Sequence, residues 1–290
     1  MNNIYDVKGG TGGDSYLIVG DKKTALLECG MAFSAANLID NIKDVLQGRQ
    51  LDYVLITHSH YDHVGALPYL KEEWPNLEAM GSEYDLRILE RPSALESIRK
   101  LSNEAAHMYS GEPIEEYKDE LMKIDTVIYE GSCIDLGDTQ IKVIETPGHT
   151  RCTLSFLIDN EIFYGSESLG VVSQSGRIVP AFIVDYFQAI ESIIKCQALK
   201  PTVIYSPHYG IIDQELKPDY WQECLDVAEY SRKVVLHYSN LGYTLEEILV
   251  EYENVFRSKE YYVEQPLFAF QINSRGMISA ILKSQAEKVD

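Results

Sequence analysis

The hydrophobic pattern begins with two short β-rich runs. Tyr16–Val19 and Thr24–Leu27 are rich in apolar and β-branched side chains, and Gly20-Asp21 between them is typical of a turn. Further along, Ser34 is a candidate helix N-cap and Gly48 a candidate C-terminal stop. Between them, apolar residues recur at helical spacing at Leu38, Ile39, Ile42, Val45 and Leu46. We therefore predict a β-meander followed by a surface helix of about three turns.

A second β-rich region follows between about residues 125 and 168. Its predicted strands are Thr126–Tyr129, Gln140–Ile144, Thr153–Ile158 and Glu161–Tyr164. A separate strand, Tyr53–Ile56, is predicted earlier in the chain. Asp159-Asn160 is the predicted turn between the last two strands of the region. Asp185, with Gln188 three residues later, predicts the start of a helix that ends near Leu199, and Thr202–Tyr205 is a further strand. The pattern thus indicates two β-rich halves, each followed by helices.

Two regions are predominantly helical in pattern. Residues 84–124 form a charged, weakly amphipathic insertion, with Gly111 and Pro113 as an internal break. After about residue 212 strong strand signals end, and Thr244 with Glu247 starts one of about three helices. We expect a domain over residues 1–212 and a helical extension over residues 213–290.

The composition excludes several classes of protein. The chain has 290 residues, 45% apolar and 24% charged, as in ordinary globular proteins. Its 25 Lys+Arg against 45 Asp+Glu give a net charge of −20, which disfavours nucleic acid and anionic membrane surfaces as partners. An odd number of cysteines without a C-x-x-C pair, and the absence of a signal peptide or long apolar run, favour the cytoplasm. We expect a small-molecule substrate, and the sequence is compatible with either a monomer or a homodimer.

The richest chemical signal directly follows the predicted strand Tyr53–Ile56. It reads His58-x-His60-x-Asp62-His63, and imidazole and carboxylate are ligands that divalent metals such as zinc prefer. The first two histidines can point to one side of an extended segment, while Asp62 and His63 follow a tight bend. The spacing therefore predicts two adjacent metal sites.

Two further histidines lie in turns after predicted strands. His149 stands in the Pro/Gly turn Thr146–Thr150, and His208 stands in a similar turn at Ser206–Gly210. Both can complete a metal site with the first cluster. His107 and His237 fall in predicted helices, where a surface or packing role is the usual one.

With H-x-H-x-D-H, the later T-P-G-H-T and a final histidine in a Pro/Gly turn, the chain resembles the metallo-β-lactamase superfamily of hydrolases over about residues 1–212. The segment Ile56–Leu70 and the helical tail are most similar to its PqsE-like and glyoxalase-II-like branch. The resemblance implies an α/β fold, a four-layer αββα sandwich, with the metal site between the sheet edges. Because the ligand loops would otherwise be open to water, we also expect residues 84–124 and the C-terminal extension to cap the active site.

The resemblance implies a role for each candidate ligand. The first of two divalent metals (Zn, Fe or Mn) would be bound by His58, His60 and His149, and the second by Asp62, His63 and His208. Alignment on Leu169-Gly170 puts Glu167 at the bridging carboxylate, where the family usually has Asp. Glu167 could bridge both metals or chelate one. Alternatively, it could face solvent beside a mononuclear site.

The function implied is metal-dependent hydrolysis of a small ester-like bond, with a thioester or acyl ester as the leading substrate. A bridging hydroxide would attack the substrate, and Asp62 would orient it or take its proton. A phosphodiesterase or lactonase is the alternative enzyme, and a metal-containing signalling or sensing protein with little turnover is the alternative outside catalysis. The glycine-rich segment Gly9–Gly13 is interpreted as a flexible turn, because a strand rather than a helix follows it. At Glu28-Cys29-Gly30, relatives usually carry Asp-x-Gly.

Overall fold

The computed structural model describes residues 3–257 and 265–286. The chain divides into two compact units, unit 1 with Met1–Ile144 and Phe156–Asp159, and unit 2 with Glu145–Ser155 and Asn160–Asp290. The boundary expected at residue 212 stays a prediction. Within the predicted helical extension, residues 258–264 and 287–290 lie outside the described residues. None of the helices in the described ranges combines the length and the hydropathy needed to cross a membrane.

Unit 1 contains a six-stranded sheet with its strands in sequence order. These are β1 (Ile4–Asp6), β2 (Tyr16–Val19), β3 (Thr24–Leu27), β4 (Tyr53–Leu55), β5 (Glu78–Gly81) and β6 (Thr126–Val127). The first three pair antiparallel, which confirms the predicted meander, with Leu17 opposite Leu26. From β3 to β6 the pairing is parallel. Parallel strands end at the same edge of the sheet, so the residues after β4 lie at that edge.

Helices of unit 1 cover this sheet and extend from it. They are α1 (Ala35–Leu46), α2 (Tyr61–Val64), α3 (Leu67–Glu73), α4 (Glu83–Leu89) and α5 (Pro92–Tyr109). The predicted helix after Ser34 is confirmed as α1, and its buried residues Leu38 and Ile42 share one apolar core with Leu26 of β3 and Val54 of β4. Helices α4 and α5 occupy much of the predicted insertion.

Further strands follow the insertion. Strands β9 (Leu154–Ile158), β8 (Gln140–Glu145) and β7 (Cys133–Asp135) adjoin in this order, and β7 pairs antiparallel with β8. Asp159 and Asn160 both have positive φ, 50° and 57°, as a tight hairpin turn requires, and the predicted turn is confirmed.

Unit 2 has two short strand pairs and four helices among its described residues. Strand β10 (Ile162–Tyr164) pairs parallel with β13 (Val203–Tyr205), and β11 (Val171–Val172) pairs antiparallel with β12 (Ile178–Val179). The helices are α6 (Tyr186–Ala198), α7 (Tyr220–Asn240), α8 (Leu245–Phe256) and α9 (Leu267–Ala286). Both predicted helix starts are confirmed, because the Asp185 carboxylate accepts the amide of Gln188 and Thr244 forms a capping box with Glu247. The mixed α/β class, with sheets flanked by helices, is confirmed.

The helices of unit 2 are held together by one apolar core. Tyr186 of α6, Val235 of α7, Tyr252 of α8 and Ile278 of α9 are all buried in it. Burial of each such side chain stabilises the fold by about 1.5–3 kcal/mol relative to exposure. The Tyr252 hydroxyl also meets the Ser231 hydroxyl at 2.8 Å, so its polar end is satisfied inside the core.

Candidate metal centre

The H-x-H-x-D-H motif lies where the sequence predicts it, between β4 and the short helix α2. The imidazole centroid of His58 is 4.4 Å from that of His60 and 4.1 Å from that of His63. The His60 carbonyl accepts the amide of His63 at 3.0 Å, which closes the bend between the two halves of the motif. Asp62 lies on the first turn of α2, where the helix dipole favours a carboxylate. Unit 1 thus gathers four candidate ligands at one strand end.

Two of these histidines have Nδ1 engaged by the protein. Nδ1 of His58 is 2.9 Å from the Thr57 hydroxyl, and Nδ1 of His63 is 2.6 Å from Oε2 of Glu28. The other Glu28 oxygen, Oε1, accepts the Thr57 amide at 2.5 Å. A hydrogen bond at Nδ1 orients the ring and makes Nε2 the nitrogen that binds a metal. Both rings are therefore preset for coordination through Nε2.

Glu28 holds this position with an unusual backbone. Its φ is 62°, in the left-handed region that glutamate rarely adopts. The side chain is buried beside His63, so a carboxylate placed there must be compensated by hydrogen bonds or charge. Glu28 is an orienting residue that the motif-based ligand assignment did not include, although its departure from Asp-x-Gly marked the position.

The glycine-rich segment Gly9–Gly13 packs closely against the same bend. A Cβ on Gly13 would lie 2.6 Å from the carbonyl oxygen of Asp62 and 3.0 Å from Cα of Gly30. A Cβ on Gly65, just after α2, would lie 2.5 Å from the Tyr61 carbonyl oxygen. Glycine at these positions permits the close backbone packing that fixes α2.

Asp85 supports the loop between the first two histidines. It accepts hydrogen bonds from the hydroxyl and the amide of Ser59, and from the hydroxyl and the amide of Ser82. Burial is the largest influence on its carboxyl group and raises its pKa to about 6. Since Ser59 stands between His58 and His60, Asp85 fixes the backbone that presents both rings.

In unit 2, both the backbone and the ring of His149 are held. Its backbone amide donates to the Ser168 hydroxyl at 2.9 Å, and its Nδ1 lies 2.5 Å from the carbonyl oxygen of Ala181. As with His63, a protein acceptor at Nδ1 favours Nε2 as the nitrogen that would bind a metal. Neither Ser168 nor Ala181 was predicted from the sequence.

Glu167 brings the two histidines of unit 2 together. Its Oε2 is 2.8 Å from Nε2 of His149, and its Oε1 is 3.1 Å from Nε2 of His208. The residue is only 8% exposed, so the alternative in which Glu167 faces solvent is wrong. One carboxylate therefore contacts a histidine from each of the two ligand sets that the family resemblance implies.

A network of buried hydroxyl groups fixes the turn that carries Glu167. The Thr146 hydroxyl lies 2.9 Å from the Ser155 hydroxyl and 2.8 Å from the Ser166 hydroxyl. The backbone amide of Ser166 also donates to the Ser155 hydroxyl. Ser166 and Ser168 flank Glu167, so both neighbours are tied to the His149 segment. These contacts make the placement of the carboxylate rigid.

The donor chemistry fits divalent metals. The candidate ligands are imidazole nitrogens and carboxylate oxygens, which suit zinc, iron and manganese. His58, His63 and His149 are buried, and a buried polar side chain is stable only when it is hydrogen-bonded or bound to a metal. His107 and His237 lie exposed on α5 and α7, as predicted for surface histidines.

Sequence comparison gives a consistent set of relatives. A family profile described as "Metallo-beta-lactamase superfamily" matches residues 9–208. A metallo-beta-lactamase fold-containing protein of Sulfurisphaera tokodaii is 28% identical over 220 residues, 74% of this chain and 79% of that protein. A hydroxyacylglutathione hydrolase of Aliivibrio fischeri is 27% identical over 159 residues, 54% of this chain and 48% of the enzyme. The chain thus matches about half of that hydrolase.

Solved structures share the fold. A metallo-beta-lactamase family protein from Thermus thermophilus superimposes with a TM-score of 0.68 at 15% identity, covering 99% of this chain and 95% of that one. An archaeal superfamily member from Sulfolobus tokodaii gives a TM-score of 0.60 at 22% identity, covering 77% and 86%. At these identities the likeness concerns the fold.

Proposed function

The chain belongs to the metallo-beta-lactamase superfamily, and on this premise we propose that it is a dinuclear metal-dependent hydrolase of a small ester-like substrate. The observation that carries the proposal is the position of Glu167, whose two oxygens contact His149 and His208 separately. A carboxylate with one histidine at each oxygen is suited to bridging two cations.

The proposed ligand sets are those that the family resemblance implies. We propose that the first metal is bound by His58, His60 and His149, the second by Asp62, His63 and His208, with Glu167 shared between them. The assignment is supported by the hydrogen bonds at Nδ1 of His58, His63 and His149, which prepare Nε2 for coordination. When bound, two divalent cations would lower the pKa of a shared water and polarise the substrate carbonyl.

The chain's own residues have distinct tasks in this reaction. Asp62, partly exposed at the start of α2, would orient the attacking water or accept its proton. Glu28 holds the His63 ring, and Asp85 holds the loop that carries His58 and His60. Their common effect is preorganisation, since ligands fixed beforehand need not be reordered when the metal binds.

For the substrate we propose a thioester or acyl ester. The proposal is supported by the hydroxyacylglutathione hydrolases among the relatives, and it assigns the chain to the glyoxalase-II-like and PqsE-like branch. The net charge of −20 supports a small molecule over nucleic acid, whose phosphates it would repel. A cytoplasmic location is part of the proposal.

The test combines metal content with turnover. Protein purified without chelators, with zinc, iron and manganese all supplied, is expected to contain close to two metals per chain and to hydrolyse thioester or ester reporters. His58→Ala is expected to abolish turnover in a folded protein, whereas the exposed His107→Ala serves as the matched control. Turnover of phosphodiester or lactone reporters alone would reassign the substrate class. Fewer than one metal and no turnover of any reporter would overturn the proposal in favour of sensing.

A further inference from the structure

Residues 180–185, which connect β12 to α6, hold the His149 turn; we name them the connecting segment. The carbonyl oxygen of Ala181 lies 2.5 Å from Nδ1 of His149. The amides of Val184 and Asp185 both donate to the Gly148 carbonyl, at 3.0 and 3.2 Å. The segment therefore fixes both the imidazole ring and the backbone immediately before it.

The same segment is anchored to the C-terminal helix α9. The Phe182 side chain is 1% exposed and belongs to the apolar core that includes Phe270, Met277 and Ile278 of α9. Next to it, Ile183 lies directly against Gly276. A Cβ at position 276 would be 2.3 Å from Cγ2 of Ile183 and 3.2 Å from its carbonyl oxygen, so only glycine permits this approach.

We propose that α9 positions His149, acting through Gly276 and Ile183 on the carbonyl of Ala181. The contacts form an unbroken chain from the helix to the ring: Gly276 to Ile183, and from the segment that contains Ile183 to Nδ1 of His149. The inference rests on the proposed function in one respect, that His149 is a metal ligand. It gives the C-terminal helix a role in metal binding, with Gly276 and Ile183 as positioning residues.

The physical basis is the sensitivity of a ligand histidine to its second hydrogen bond. A carbonyl acceptor at Nδ1 fixes the tautomer and the orientation of the ring, and loss of such a partner typically weakens metal binding by about 10–100-fold. A displacement of Ile183 moves a backbone that is only two residues from that acceptor. The effect of a change in α9 should therefore appear in metal affinity before it appears in folding.

The experiment uses Gly276→Ala and its combination with Ile183→Ala. Alanine favours helix more than glycine does, so the single change does not weaken α9 by propensity, but its methyl group must displace Ile183. We expect the affinity for the more weakly bound of two Co²⁺ ions, measured by competition with a chromophoric chelator, to fall about tenfold. In the double variant Cγ2 of Ile183 is absent, so the added methyl group at position 276 no longer meets it. We expect the Co²⁺ affinity of the double variant to lie within about threefold of that of the Ile183→Ala variant. The exposed Ile272→Ala is the control on the same helix.

A second readout is independent of bound metal. In metal-free wild-type protein, the imidazole NMR signals of His149 should show the proton on Nδ1, hydrogen-bonded to Ala181, and Gly276→Ala should weaken this signature. A structural defect elsewhere would not change it selectively. If Gly276→Ala does not fold, Phe182→Leu loosens the same segment and takes its place with the same measurements.

The outcomes separate the two proposals. A wild-type protein that binds no metal overturns the proposed function whatever α9 does. Suppose instead that wild-type protein binds metal, and that a folded Gly276→Ala variant, or Phe182→Leu in its place, retains the wild-type metal affinity and the Nδ1 signature. The proposed role of α9 is then overturned, and the proposed function is not. An affinity loss in Gly276→Ala that Ile183→Ala fails to relieve also overturns it, because the close contact with Cγ2 of Ile183 then does not carry the effect.

Discussion

Oε2 of Glu28 lies 2.6 Å from Nδ1 of His63, and both side chains are almost completely buried. The contact joins a residue on the loop after β3 to a candidate metal ligand on α2. Because Glu28 also accepts the Thr57 amide, one carboxylate fixes the backbone before His58 and the ring of His63. The orientation of two candidate ligands thus depends on a residue that would not itself touch a metal.

Glu28→Gln should weaken metal binding without unfolding the protein. Glutamine keeps the length of the side chain and a carbonyl acceptor, but it removes the negative charge that strengthens His63 as a ligand. We expect about tenfold weaker binding of one metal, within the range typical for residues behind ligands. Titration with Co²⁺ measures the change, and the exposed Glu72→Gln is the control. Unchanged affinity would contradict an orienting role.

Glu167→Asp tests whether this site requires the longer carboxylate. In the structure both oxygens of Glu167 are at contact distance from a histidine. Removing one methylene withdraws the carboxylate by about 1.5 Å. We expect metal content to fall from about two ions per chain towards one, as measured by elemental analysis, with turnover of the thioester and ester reporters falling in parallel. An aspartate variant that retains both metals and full turnover would show that the additional length is not needed.

Glu167→Gln provides the complementary change. It keeps the length and removes the charge, so a bridge between two cations should be lost while the turn from Glu167 to Leu169 remains folded. The same metal analysis applies, and near-equal thermal unfolding temperatures of variant and wild type would confirm that the fold is preserved.

Asp85 should make the stability of the metal-free protein fall as pH rises from about 4 to 6. Its pKa is raised to about 6 in the folded protein, against about 3.9 in an unfolded chain. Between these values the folded state holds a proton that the unfolded state has released, so stability decreases with pH, by up to about 3 kcal/mol at pH 7. Denaturation at pH 4.5, 5.5 and 7 measures the free energy of unfolding.

Asp85→Asn removes this titration. The stability of the asparagine variant relative to wild type should therefore improve progressively from pH 4.5 to pH 7, whatever its absolute value. Ile88→Ala, a change of a non-titratable residue on the same helix, should show no such trend. A pH-independent difference between Asp85→Asn and wild type would contradict the raised pKa.

The elements with local sequence signals were predicted, whereas β5, which has little signal of its own, was missed. The Asp185 cap and the Asp159-Asn160 turn depend on residues within a few positions of each other, so their chemistry is visible in the sequence. Strand β5, Glu78–Gly81, carries a glutamate and a glycine and has little β preference of its own. It forms because its backbone pairs with β4 on one side and β6 on the other.

The candidate site divides in the same way. Histidine and carboxylate side chains carry a residue-type signal, and His58 and His149 were predicted as candidate ligands from it. Ala181 acts through its backbone carbonyl, which every residue possesses, so no sequence pattern could identify it. Gly13 was recognised as part of a turn, but its close approach to Asp62 depends on how the chain folds back on α2.

Gly13→Ala is expected to disturb the Asp62 bend. The added Cβ would be 2.6 Å from the Asp62 carbonyl oxygen, a backbone atom that cannot rotate away, and 3.0 Å from Cα of Gly30. Overpacking of this kind typically costs about 1–3 kcal/mol, and relief by movement of α2 would displace Asp62 from its position beside His63. We therefore expect a lower free energy of unfolding together with weaker metal binding and slower turnover.

Gly10→Ala is the matched control within the same segment. The nearest atoms to its Cβ would be Cβ of Ser34 at 3.1 Å and the Phe33 ring at 3.6 Å, so Ser34 would have to move by only a few tenths of an ångström. Chemical denaturation and metal titration of both variants separate the two positions. Because the two changes add the same methyl group to nearby glycines, a selective effect of Gly13→Ala on metal affinity must come from its contacts with the backbone of Asp62 and Gly30. Equal effects of the two variants would instead mean that the segment as a whole, not these contacts, sets the position of Asp62.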